Sequence, residues 1–279
     1  MTRKLLDEIV AQLEHARALG VTTFRLSAGQ LQQAADALSR PRPRAEAPAP
    51  PPTAAAAKAT KPAPAKRVEA VPRVSEGLLP LAPSADPGPH EPLAAVAAAA
   101  EGCVRCRLSE GRTHIVFGDG SPEAQIVFIG EGPGYHEDQQ GLPFVGRAGQ
   151  LLNKMLESIG LARGEVYICN IVKCRPPDNR VPQADEVEAC ASYLERQLRA
   201  IRPKLVVALG GPAAQTLLRS RVAISRLRGR LHPFRDIRLL PTFHPAFLLR
   251  NPNMKRESWE DLKLLRRLID SGFDYSQFE

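Results

Sequence analysis

The side chains with chemistry to offer in this chain are three acids in a glycine-rich stretch, an asparagine and a histidine that each end an apolar run, and a set of cysteines. The stretch GEGPGYHEDQQGLPFVGRAG, residues 130–149, carries Glu131, Glu137 and Asp138 and closes around Phe144. It is not a phosphate cradle. A dinucleotide fingerprint needs G-x-G-x-x-G ahead of a helix, but Tyr135 takes the third position and Pro133 interrupts; the Gly-Lys-Ser/Thr of a P-loop is absent. Carboxylates there would also repel a pyrophosphate. Gly132 and Gly134 instead leave space for a flat ligand close to the backbone, with Phe144 to cover one face. Stacking of an aromatic ring on a base is worth about 1–3 kcal/mol. Among the cysteines, Cys103 and Cys106 form C-x-x-C, whereas Cys174 and Cys190 stand 16 positions apart. The second pair is wide for a zinc ribbon, so four thiolates leave structural zinc and a [4Fe–4S] cluster both open. Cys169, inside an apolar run, reads as a small buried hydrophobe.

These residues need elements to hold them. From Cys103 onward AQIVFIG (124–130), VYICN (166–170), KLVVALG (204–210) and RLLPTFH (238–244) read as buried strands. RAGQLLNKMLESIG, QADEVEACASYLERQLRAI, GPAAQTLLRS and RESWEDLKLLRRLID read as helices between or after them. The expectation is an α/β domain over residues 97–279, three layers α/β/α around a central four-stranded parallel sheet. Ligands in such folds sit beyond the carboxyl ends of the strands, which is where Glu131, Asn170, Gly210 and His244 fall.

Ahead of this domain the character changes. Between Pro41 and Ala100, 33 of 60 residues are proline or alanine and none is aromatic, so residues 41–96 read as a disordered linker that cannot bury enough surface to fold. Residues 1–40 suggest two short helices, LLDEIVAQLEHARALG and SAGQLQQAADALS, which make a marginal core and suit a docking module for a protein partner.

GEGPGYHEDQQGLPFVGRAG, NIVKCRPPDNR and FHPAFLLRNP, in that order, resemble the family 4 uracil-DNA glycosylases, the iron–sulfur branch of that superfamily. The resemblance runs from about Cys103 to the C-terminal helix. It implies a [4Fe–4S] cluster on Cys103, Cys106, Cys174 and Cys190, and hydrolytic release of uracil from single- and double-stranded DNA. It also implies roles. Asn170 would read N3–H and O4 of a flipped uracil, Phe144 would stack on it, and Glu137 would lie near C5 and exclude thymine. His244, neutral or protonated, would stabilise charge on O2 as the glycosidic bond breaks. Gly132 stands where related families carry an Asp or Asn that orients the attacking water, which leaves Glu131 as the nearest carboxylate for that task. Leu248 matches the intercalating position, with Leu249 and Arg250 beside it, and Arg250, Lys255 and Arg256 would meet phosphates. The basic stretch RSRVAISRLRGRLH (219–232) adds a DNA-facing rim.

A net charge of +8 and a pI near 9.5 suit a polyanionic partner. No apolar run is long enough for a membrane span and the first residues lack a signal-peptide pattern, so a cytoplasmic protein is expected, with no membrane partner. Nothing calls for an oligomer, and a monomer is expected. Three rivals use the same residues less well. A non-catalytic iron–sulfur DNA-binding module would keep the fold without releasing a base. A relative that attaches covalently to the abasic sugar needs a basic insertion after the second strand, and NIVKCRPPDNRVPQ runs straight into a helix. A zinc deaminase needs H-x-E with P-C-x-x-C, which is missing.

Overall fold

Residues along a strand point alternately to opposite faces, so a strand that is apolar throughout must be covered on both sides. A computed structural model describes residues 91–278 of the chain; the two expected N-terminal helices and nearly all of the expected linker lie outside the described residues. In chain order the elements are α1 (Leu93–Ala100), α2 (Leu108–Gly111), β1 (Asp119–Gly120), β2 (Ile126–Gly130), α3 (Tyr135–Gln140), α4 (Arg147–Glu157), β3 (Tyr167–Asn170), α5 (Ala184–Ile201), β4 (Leu205–Leu209), α6 (Gly211–Leu218), α7 (Ile224–Leu227), β5 (His232–Phe234), β6 (Ile237–Thr242), α8 (Pro245–Arg250) and α9 (Lys255–Asp270). The four expected strands are β2, β3, β4 and β6, and they run parallel in the order β3-β2-β4-β6. The sheet nevertheless has six strands, because β1 pairs antiparallel with β3 at one edge and β5 antiparallel with β6 at the other. At two and three residues, neither is long enough to make an apolar run.

Alternation then divides the core. Val127, Ile129, Cys169, Val206, Ala208 and Leu239 share one cluster with Val187, Leu194 and Leu198 of α5 and Ala213 and Leu217 of α6. Ile126, Phe128, Ile168, Leu205, Val207 and Leu240 share the other with Leu152 and Leu156 of α4 and Leu262, Leu265 and Leu268 of α9. The result is the three-layer arrangement. The chain runs from β2 out to β3 on one side and then crosses back past β2 to β4 on the other, which puts the switch point between β2 and β4 at the carboxyl edge of the sheet.

Two elements depart from expectation. Helix α1 begins inside the stretch read as linker: alanine, counted there toward disorder, is the best helix former, and Val96 and Ala100 are buried where α1 packs on α5. Helix α3 occupies the middle of the glycine-rich stretch. Glu137 and Asp138 in its first turn and Gly141 in the left-handed conformation just past its end are ordinary helix boundary signals. Asp138 is 1% exposed and accepts from the amides of Thr113 and His114 at 2.8 and 3.4 Å, so it anchors α3 to the preceding segment.

Glu186 is the hub that joins the cysteine-bearing segments. It opens α5, accepts from the Gln183 amide at 2.8 Å, and binds Arg180 at 2.6 and 2.8 Å and Arg107 at 3.0 Å. The Arg180 guanidinium foremost holds its carboxyl down at about 2. Because the folded value lies below the unfolded 4.5, this stability is present above pH 4.5 and is lost as pH falls toward 2. It amounts to roughly 2–3 kcal/mol once screening at the more exposed arginines is allowed for. Glu186→Gln is therefore expected to lower stability at pH 7 and to flatten the decline of stability between pH 4.5 and 2, as read by urea unfolding at a series of pH values; an unchanged acid profile would remove Glu186 from the hub.

Candidate active site

The carboxyl ends of the four parallel strands and the loops that follow them enclose a cavity of about 480 Å³. That is room for a small ligand rather than a water. Glu131, Gly132, Glu137, Phe144, Asn170, His244 and Arg250 all line it. Leu248, Leu249, Lys255 and Arg256 do not.

Asn170 ends β3 and is 1% exposed, and its Oδ1 is buried with no hydrogen-bond partner in the described residues. An orphan acceptor of this kind costs about 1–3 kcal/mol. Gly130, its register partner on β2, makes the space: a Cβ there would stand 2.4 Å from Asn170 Oδ1 and 2.7 Å from the Phe144 ring. Gly132 and Gly134 do not open ligand space in the same way. A Cβ on Gly132 would meet Val172 at 2.9 Å, and one on Gly134 would meet the Glu137 carboxylate at 2.8 Å, so their bareness serves packing of the loop itself.

Phe144 has φ 53°, a conformation that an aromatic residue adopts only under constraint. The constraint comes from both sides. Arg163 donates to the carbonyls of Pro143 and Phe144 at 2.6 and 3.2 Å, and Glu137 Oε1 accepts from the amides of Val145 and Gly146, each at 3.0 Å. Gly149 completes the turn, since a Cβ there would lie 1.7 Å from the Phe144 carbonyl oxygen. Arg163 is itself held by Asp119 at 3.1 Å. Its position in RGE, after a helix and before a strand, carries no sequence signal of this role. Glu137 thus lines the cavity and fixes the loop of the aromatic ring at once.

His244 caps α8, and its Nδ1 accepts from the Ala246 amide at 3.1 Å. A ring nitrogen that accepts leaves the proton to Nε2. Burial pushes its pKa down to about 4, with Arg250 adding to the shift and Glu137 opposing it, so the ring is neutral at pH 7. Of the two charge states the sequence leaves open, the structure favours the neutral one. Phe144 and His244 face each other with ring centroids 5.4 Å apart. Glu131 is half-buried, and burial raises its pKa, which makes its carboxylate the more basic.

The four cysteines singled out from the sequence line a second, small cavity together with Arg112, Lys173 and Tyr193. Arg112 Nη1 donates to Cys103 O at 2.6 Å and to Cys174 Sγ at 3.2 Å. Burial raises the Cys174 thiol and pushes Cys190 up to about 11. Among the described residues no three His, Cys, Asp or Glu side chains close on a single point as ligands of one ion. Four thiols around one cavity are still a donor set suited to an iron–sulfur cluster, whose irons are spread over a cube. Cys169 lies outside that cavity in β3, fully buried, with its thiol hydrogen-bonded to the Lys173 side chain.

The model of the Uracil DNA glycosylase superfamily matches residues 117–263, which hold every residue of the first cavity. The chain belongs to the uracil-DNA glycosylase superfamily. It is 43% identical over 175 residues to a type-4 uracil-DNA glycosylase of Sulfurisphaera tokodaii, covering 60% of this chain and 80% of that protein. It is also 43% identical over 185 residues to the type-4 uracil-DNA glycosylase of Archaeoglobus fulgidus (62% of this chain, 93% of that one) and over 171 residues to that of Thermotoga maritima (60% and 89%).

In this superfamily domain the segment after His244 differs from the sequence reading. Leu248 is 2% exposed and packs in the core beneath α8, so it cannot serve as a wedge in this conformation. It stands on the inner face of a short helix whose outer face carries half-buried Leu249 and exposed Arg250. Lys255 and Arg256 are exposed, as are Arg221, Arg226 and Arg230. Arg228 is not part of that rim: it binds Asp261 at 2.6 and 2.9 Å and lies 5.2 Å from the centre of the Phe243 ring, bracing the strand end before His244. No described helix is long and apolar enough to cross a membrane.

The imidazole of His244 gives a direct pH test. Its folded pKa of about 4 lies below the unfolded 6.5, so between those values only the unfolded chain takes up the proton, and stability falls as pH falls through that window. ¹⁵N spectra of histidine-labelled protein are expected to show His244 neutral with its proton on Nε2 at pH 6; a charged ring at that pH would contradict the assignment.

Proposed function

We infer that the chain is a uracil-DNA glycosylase, an enzyme that flips uracil out of DNA and hydrolyses its N-glycosidic bond to leave free uracil and an abasic site. The observation that carries this reading is the Asn170 carboxamide, buried in the cavity wall with Oδ1 unpartnered. Uracil offers an N3–H donor to that oxygen and an O4 acceptor to the neighbouring amide. Cytosine offers the reverse, and polar groups left unpaired in a dry site can discriminate by 10⁴–10⁵-fold, as a rough guide. The superfamily match and the type-4 relatives support the same activity.

The remaining side chains divide the task. Flipping a base costs a few kcal/mol, and stacking on Phe144 returns about 1–3 of them. The neutral Nε2–H of His244 is a donor for uracil O2 as negative charge gathers on the leaving base, a kind of contact worth roughly 10²–10³ in rate. Glu131, made more basic by burial, orients the attacking water and takes up its proton. Glu137 forms the wall beside C5; because its carboxylate is tied to the Phe144 loop, it cannot retreat from a 5-methyl group. Leu249 takes over the wedge role from Leu248 and fills the gap left by the flipped base, while Arg250, Lys255 and Arg256 meet phosphates. Cys103, Cys106, Cys174 and Cys190 hold a [4Fe–4S] cluster, which supplies a rigid covalent tie between the segment before β1, the loop after β3 and helix α5. Single- and double-stranded DNA are both substrates, and one chain supplies every side chain that the mechanism uses, so a monomer suffices.

Incubation with uracil-containing oligonucleotides is expected to release free uracil, with His244→Ala slower by about 10²–10³ and Asn170→Ala by about 10² or more. DNA binding without any released base would leave only the non-catalytic binding module. The same preparation is expected to be brown and to contain iron; colourless protein with zinc would replace the cluster by a structural zinc site. Leu248→Ala should cost about 2–5 kcal/mol of stability. Leu249→Ala should leave stability nearly unchanged and lower uracil release from duplex DNA more than from single strands, and equal losses on both substrates would exclude a wedge at that position.

A further inference from the structure

Lys173 is 2% exposed, and among the described residues it is the one lysine or arginine buried to that degree. The buried acids of the domain all have partners: Asp138 two backbone amides, Glu186 two arginines, Asp261 Arg228 and Thr242. Lys173 has no ion pair in the described residues. Its ammonium donates to the backbone carbonyl of Asn170 at 2.7 Å and lies 5.9 Å from the centre of the Phe117 ring. Leaving a buried ammonium without a counter-charge costs several kcal/mol. The Lys173 side chain also hydrogen-bonds to the Cys169 thiol, and Lys173 lines the second cavity beside Cys174 and Cys190, where its charge acts on the Cys190 sulfur and favours the anionic form.

We propose that Lys173 is a positioning residue that couples the two cavities: its charge balances the negative charge of the metallated four-thiolate site, and its hydrogen bond fixes the carbonyl of Asn170 and so the carboxamide that reads the base. The proposal rests on the reading of the four cysteines as metal ligands. It does not depend on which metal they hold, because four thiolates leave either zinc or an iron–sulfur core with net negative charge. The geometry is economical. Asn170 and Lys173 are three positions apart, and the side chain of the second folds back on the main chain of the first. Cys174 follows directly, so one short segment carries the base reader, the counter-charge and a metal ligand. The Lys173 carbonyl accepts from the Val116 amide at 2.8 Å, which pins that segment to the chain ahead of β1. Outer groups that orient a metal's ligands typically matter by 10–100-fold in affinity.

The test compares the full chain with Lys173→Met, which removes charge and donor, Lys173→Gln, which keeps a donor without charge, and Lys173→Arg, which keeps both. Metal analysis of the wild type is done first and decides the cluster reading separately. Loss of metal to a chelator is then followed, with kcat and KM for uracil release measured on the metal-loaded forms. Lys173→Met is expected to lose metal at least tenfold faster and to show kcat reduced about tenfold with KM for DNA little changed; Lys173→Arg restores both. Where iron is present, the reduction potential of Lys173→Met and Lys173→Gln moves to more negative values, since a nearby positive charge no longer favours the added electron. A folded Lys173→Met chain that keeps its metal as the wild type does overturns the proposal, whatever its activity. If Lys173→Met does not fold, equal metal loss from Lys173→Gln and Lys173→Arg overturns it instead.

Discussion

On the proposed reading of Asn170 as the group that recognises the base, a buried oxygen without a protein partner sets the terms for the rest of this structure. Asn170 Oδ1 is open to a ligand because no other described residue satisfies it, and it is costly for the same reason. The pocket therefore has to hold the carboxamide still, keep other donors away from it and exclude water around it. Gly130 removes the side chain that would otherwise fill the space in front of it, Phe144 closes one side, and the end of β3 fixes the backbone from which it projects.

Much of the surrounding polar network serves that end indirectly. Arg163 and Glu137 clamp the Phe144 turn from its carbonyls and its amides, and Arg163 is in turn braced by Asp119. Arg228 and Asp261 tie the end of β6 to α9 just before His244. Glu186 links Arg107, beside Cys106, to Arg180 in the pocket wall. The braces made by Glu186 and Asp261 have a carboxylate withdrawn from water, where such contacts are stronger than at the surface. The active groups themselves stay sparsely bonded. On the proposed reading, that division leaves Asn170 and His244 available to a ligand while the segments that carry them are braced.

The sequence was informative where a physical rule acts locally. Apolar runs marked the four parallel strands because each is covered on both faces, and their ends located Glu131, Asn170 and His244 without any structure. The cysteine set was legible as residue types and spacing, though not as a shared cavity. The edge strands were illegible because two or three residues leave no pattern, and α3 was hidden by glycines that read as a loop. Leu248 was misplaced because LL beside a histidine gives no clue to which leucine faces inward; only packing of α8 against the core decides that. Arg163 and Lys173 were invisible for another reason. Their roles depend on partners up to 44 residues away or on a side chain that folds back on its own backbone, and neither leaves a motif.

The order of the strands has a consequence for how the chain reaches its working state. Neighbouring strands in the centre of the sheet are joined by crossovers, not hairpins, and the wall of the pocket is gathered from segments that begin near Glu131 and end near Arg250. Contacts so distant along the chain close late in folding, after the local helices have formed. A partly folded molecule can therefore own helices without owning a pocket, and the capacity to remove a base requires the last strands in place. For a protein whose chemistry breaks DNA bases from their sugars, that timing confines the reaction to molecules that have completed their fold.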